Sequence, residues 1–121
     1  MSFSQRIFRS AGAQWFESGV LVAPTAAPTL ATDGVPIPGG ASHLQYRVTD
    51  MTAVTDYSLR VWAYIDPVGV EPGWSLLAEH LTLGPLSRVF EAAATTLSAS
   101  RYYVQLSSLT GTSLRVQHRS A

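Results

Sequence analysis

A chain of 121 residues, 46% of them hydrophobic and only 13% charged, has the size and apolar content of a single globular domain. All eight basic residues are arginines and they are balanced by eight acidic ones, so no net charge is available to grip nucleic acid or an anionic membrane surface. The absence of cysteine excludes disulfides, thiolate nucleophiles and cysteine-ligated metal centres.

The opening MSFSQRIFRS lacks the apolar core of a signal peptide. The longest apolar runs are a few residues, far short of a membrane-spanning helix, so a soluble chain is expected. Phe3, Ile7, Ala11 and Trp15 recur every four residues, but Gly12 weakens a helix there. Residues 1–20 therefore read as an arm or an edge strand, with QWFESGVLVA extended. Residues 24–41 hold four of the seven prolines, Pro24, Pro28, Pro36 and Pro38, and read as a Pro/Gly-rich connector in which Gly39-Gly40 supplies a turn or a backbone crossing.

Strict alternation follows. In HLQYRVTD, Leu44, Tyr46 and Val48 share one face while His43, Gln45 and Arg47 share the other. In TDYSLRVWAYID, Tyr57, Leu59, Val61, Ala63 and Ile65 form one face and Trp62 and Tyr64 the opposite one. Large aromatics on that second face call for a cover, either a loop or another subunit. GWSLLAEHL and LSRVFEA supply two more strands, although Val89, Phe90, Ala93 and Leu97 also fit a short helix. The closing RYYVQLSSLTGTSLRVQHR reads as two half-buried strands joined at Thr110-Gly111-Thr112, a β-hairpin. The sum is an all-β fold: a single antiparallel β-sandwich, jelly-roll-like, with about eight strands and an N-terminal arm.

Candidate chemistry is sparse. His43, His80 and His118 are far apart and their directions by alternation do not converge, so they read as surface or rim residues, not metal ligands. Asp50 and Asp56 flank MTAVT, where aspartate serves turn backbone more readily than a paired-carboxylate reaction or a calcium loop. No Gly-x-Ser-x-Gly elbow and no phosphate-binding glycine loop is present. No catalytic, cofactor-binding or metal-ligating residue is assigned, and no enzyme is expected. The aromatic set Trp15, Trp62, Tyr64, Trp74, Tyr102 and Tyr103 has three readings: a sugar-stacking platform, a subunit interface or ordinary packing.

Taken together, the arm-like start, the Pro/Ala-rich connector, TDGVPIPGGASHLQYRV, the strand leading to WAYIDPVG, a strand opening at Trp74, and ASRYYVQLSSLTGTSLRV resemble small β-sandwich structural proteins, decoration or tail-associated, of tailed bacteriophage particles. The resemblance spans most of the chain and is one of style and order, with no diagnostic motif. It implies a non-enzymatic virion protein, assembled in the host cytoplasm, that decorates or cements a capsid or forms part of a tail or fibre attachment. The implied partners are further copies of itself and other virion proteins, such as the major capsid or a tail protein, with no cofactor, nucleic acid or membrane. The contacts expected to carry this are Phe3, Ile7, Phe8 and Trp15, the connector prolines Pro24, Pro28, Pro36 and Pro38, and Trp62, Tyr64 and Trp74. The alternative is a carbohydrate-binding or host-adhesion module that uses Trp62, Tyr64 and Trp74.

Overall fold

Alternating apolar and polar side chains become strands with two unlike faces, and here they assemble into two antiparallel sheets. The computed structural model describes residues 15–37, 43–65, 73–85, 89–93 and 99–120. Among them regular structure is entirely strand: β1 (Phe16–Leu21), β2 (Val35–Pro36), β3 (His43–Thr52), β4 (Asp56–Ile65), β5 (Gly73–His80), β6 (Val89–Ala93), β7 (Ala99–Thr110) and β8 (Ser113–Ser120). The first sheet runs β1-β8-β3-β6 and the second β2-β7-β4-β5. The segment that also fitted a helix is strand over Val89–Ala93, because it pairs along β3 from Arg47 to His43 and tertiary pairing overrides local propensity. Its continuation, residues 94–98, lies outside the described residues, as do residues 1–14 and Pro38.

One connection departs from the sequence expectation in an informative way. β7 and β8 are the expected strands and Gly111-Thr112 turns between them, but they do not pair with each other: β7 lies in the second sheet and β8 in the first. The turn is an arch that crosses the core, not a hairpin. The β3–β4 turn does the same, and the two arches are stitched together by Thr55 N–H to Thr110 O (2.9 Å) and Thr112 N–H to Thr52 O (3.0 Å). Alternation tells which side of a strand is buried, but arch and hairpin bury the same residues, so it does not separate them.

The buried faces meet in one cluster. Leu44, Tyr46 and Val48 of β3 and Leu114 and Val116 of β8 come from the first sheet. Tyr57, Leu59 and Val61 of β4 and Tyr102 and Leu106 of β7 come from the second, and all except Val116 are fully buried. Each such side chain contributes about 1.5–3 kcal/mol of hydrophobic stabilisation. The connector is less idle than its prolines suggest. Thr25 exchanges bonds with β7 at Leu106, its N–H reaching Leu106 O (2.9 Å) and its Oγ1 accepting from Leu106 N–H (3.0 Å). Ten residues later Val35 and Pro36 pair with Tyr102 and Arg101, the proline sitting on an edge strand where a missing donor is tolerated.

Gly111 makes the double arch possible. Its φ is +151°, and a Cβ there would lie 2.5 Å from Val54 Cα and 2.6 Å from Ala53 O. Gly19, in the bulge of β1, also has positive φ (+80°) but faces open space. Gly111→Ala is therefore expected to cost about 2 kcal/mol or more in urea unfolding and Gly19→Ala about 1 kcal/mol. Equal losses would show that dihedral strain alone, and not the contact between arches, sets the cost.

Candidate functional site

Three places concentrate chemistry: the outer face of each sheet and the space between them. On the outer face of the second sheet, strand register places Trp62 beside Tyr103 and Leu76, and Tyr64 beside Trp74 and Arg101. Tyr64 and Trp74 meet edge to face at 5.2 Å between centroids, and Trp74 meets Tyr103 at 6.4 Å. Trp62, Tyr64 and Trp74, expected to act together, are thus brought into one patch. Tyr102 is not part of it, since it points the other way and is fully buried. Trp15 lies on the other sheet's outer face.

The patch is covered in part by the chain's own connector. Trp62 Nε1–H donates to Gln105 Oε1 (2.8 Å), and Gln105 Nε2–H donates to Thr25 O (3.1 Å). Trp74 Nε1–H donates to Leu30 O (2.9 Å). Asp33 closes the loop, its Oδ2 accepting from the backbone N–H of Thr29 (3.0 Å) and Leu30 (2.9 Å), bonds that lower its carboxyl pKa. Arg101 then gathers the carbonyls of Thr32, Asp33 and Gly34 at 2.8–3.1 Å. Both indole donors are spent within the chain, so the rings have fixed orientations and offer their faces and edges. Within the connector Pro24 and Pro36 are exposed and Pro28 is buried.

The first sheet's outer face is a polar ladder. Arg47 Nε–H donates to Gln117 Oε1 (2.6 Å) and Arg119 Nε–H to Gln45 Oε1 (2.7 Å), and both guanidinium groups lie 4.2 Å from the centre of the Trp15 ring. Arg115 joins Glu17 and Asp50, the hydrogen bonds from Arg115 and Gln117 holding the Glu17 carboxyl below its ordinary range. Asp56, the other carboxylate of the expected turn, accepts weakly from Gly84 N–H at 3.4 Å. The two aspartates are thus tied to different partners.

Between the sheets, two histidines expected at the surface or rim face inward. Tyr46 of the first sheet hydrogen-bonds His80 Nε2 of the second (2.8 Å), and Tyr102 of the second bonds His118 Nδ1 of the first (2.8 Å). Burial raises the Tyr46 hydroxyl to about 12 and raises Tyr102 further still. It lowers His80, and lowers His118 to about 4, so His118 is neutral at physiological pH. Phe16 stacks on the His118 ring at 5.9 Å. The signal for His118 was present in its parity with Leu114 and Val116. That for His80 was hidden, because β5 carries a bulge opposite Val61/Trp62 that turns Ala78 and His80 inward although Trp74 and Leu76 point out. Among the described residues no cluster of three or more His, Cys, Asp or Glu could hold a metal ion.

Beside the Tyr102–His118 pair, where β1 and β2 form neighbouring sheet edges, a partly open cavity of about 300 Å³ remains. No protein-family model matches this chain, and no curated protein or solved structure shows significant similarity to it.

His118 couples stability to acidity. The unfolded chain takes up a proton at the ordinary histidine value of 6.5, whereas the folded chain resists until about 4. Stability is therefore complete above the ordinary range and falls progressively between about pH 6.5 and about pH 4. The loss attributable to this residue is up to about 3 kcal/mol, reduced by the ring's partial exposure. Urea unfolding across that window should show the decline in the parent protein and a flatter profile in His118→Gln, and identical profiles would remove His118 as the cause.

Proposed function

We propose that this chain is a non-enzymatic virion structural protein that decorates or cements a capsid, or joins a tail or fibre attachment, by protein-protein contacts with its own copies and with neighbouring virion proteins. The observation that carries the reading is the pairing scheme. β1 pairs with β8, β2 with β7, β3 with β6 and β4 with β5, all antiparallel. That is one long hairpin whose successive pairs alternate between two sheets, which supports a jelly roll, an architecture used by viral capsid and lectin domains.

The surface supports the same reading. Phe16, Val20 and Val22 at the β1 edge are 50%, 56% and 69% exposed, and Leu76 adds an exposed apolar residue beside Trp62. Low overall charge reduces the repulsion that association must overcome. The bulge in β1 disfavours simple strand addition at that edge, so contacts there run through side chains. The aromatic patch of Trp62, Tyr64 and Trp74 favours the second reading, a carbohydrate-binding or adhesion module, because ring edges and faces remain available while their donors are fixed.

Light scattering over a range of concentrations is expected to give a discrete oligomer, shifted toward monomer by the double substitution Phe16→Ser and Val20→Ser with the strand signal in circular dichroism retained. A monomer at every concentration, together with glycan-array binding that Tyr64→Ala abolishes, would replace the assembly reading by the carbohydrate one.

A further inference from the structure

The cavity at the β1/β2 side of the molecule goes beyond the assembly reading and does not depend on it. Apolar side chains from four strands line it: Leu21 of β1, Val35 of β2, Val104 of β7 and Val116 of β8. Thr25 and His118 add polar atoms. Of the other hydroxyls at the wall, those of Tyr102 and Ser18 are already used, and Tyr103 belongs to the aromatic patch on the outer face. Ser18 Oγ donates to Gly19 O (2.8 Å) and accepts from Val116 N–H (3.0 Å). Thr25 Oγ1 accepts from Leu106 N–H, which leaves its own proton to give. His118 commits Nδ1 to Tyr102, and among the described residues Nε2 has no hydrogen-bond partner.

A space of this kind accepts some molecules and rejects others. Among the described residues no carboxylate or arginine lines it, so a charged guest would lose its hydration without gaining a counter-charge. A purely apolar guest would fill the walls but leave the Thr25 proton and His118 Nε2 without partners. The volume corresponds to about ten water molecules, at the small end of ligand sites. We propose that the cavity is a binding site for a small uncharged molecule, largely apolar, that carries one hydroxyl or carbonyl group to meet His118 and Thr25. A hydroxyl suits either tautomer of His118, since it can both donate and accept.

Benzyl alcohol, toluene and benzoate share a ring and differ in the group that decides. Titrated into the full chain and followed by amide correlation spectra, benzyl alcohol should produce saturable shifts concentrated at Leu21, Thr25, Val35, Val104 and Val116. Toluene should bind about tenfold more weakly, the worth of one good hydrogen bond, and benzoate should leave those amides unmoved. His118→Gln should weaken benzyl alcohol while leaving toluene as it was. Val104→Phe fills the space and should abolish binding of both; its spectral dispersion reports whether it folds, and the His118→Gln comparison stands without it. Non-saturating shifts, shifts that map to the Trp62, Tyr64 and Trp74 patch, or equal affinity for benzoate would each overturn the proposal.

Discussion

Tyr46 and Tyr102 are fully buried, and their phenol groups are long enough to carry their hydroxyls across to the opposite sheet. A buried hydroxyl without a partner costs about 1–3 kcal/mol, so each tyrosine demands a polar group at one defined place on the opposing wall. His80 and His118 meet that demand from opposite directions, one bond starting in each sheet. The pair of bonds fixes how the sheets face each other, a matter that interchangeable leucines and valines leave loose. The rest follows from this alignment: the arches close at one end, the connector finds its place along β7, and the apolar gap beside His118 is left with walls of defined chemistry.

The aromatic patch shows how a strand can carry large rings on its second face without another subunit. The 29–34 loop is pinned by the Asp33 carboxylate, by three carbonyls on Arg101 and by the Trp74 indole. Gly34 belongs to the same arrangement, since a Cβ at its φ of +75° would lie 2.2 Å from Tyr102 O and 3.1 Å from the Trp74 ring. Cover and patch therefore form one unit. A partner that docks here meets ring edges framed by ordered backbone.

Strand faces were legible in the sequence because a period of two survives in any sheet, and Leu44, Tyr46, Val48, Tyr57, Leu59 and Val61 are buried as their alternation required. Which strands pair was not legible. The same alternation serves the expected hairpin at Gly111 and the observed arch, and only the approach of that glycine to Ala53 and Val54 distinguishes them. Of the candidate site, Trp62, Tyr64 and Trp74 could be grouped by parity and spacing. The role of Gln105 and Thr25 in holding Trp62 could not, because a hydrogen bond across 80 residues leaves no local trace. His80 escaped for another reason: a single extra residue in β5 reverses the direction of every side chain after it.

Nested pairing also sets an order of assembly. Among the described strands β4 and β5 are the one hydrogen-bonded pair adjacent in sequence, so their contact closes the shortest loop. Each outer pair then closes a loop that the pair inside it has already shortened, from β3–β6 through β2–β7 to β1–β8. A middle-outward order therefore carries the lowest loop-closure cost. β1–β8 closes the outermost of these loops, and it flanks both the exposed Phe16 edge and the His118 cavity. Phe16 stacks on the His118 ring, so a change at that exposed edge reaches the wall of the cavity directly.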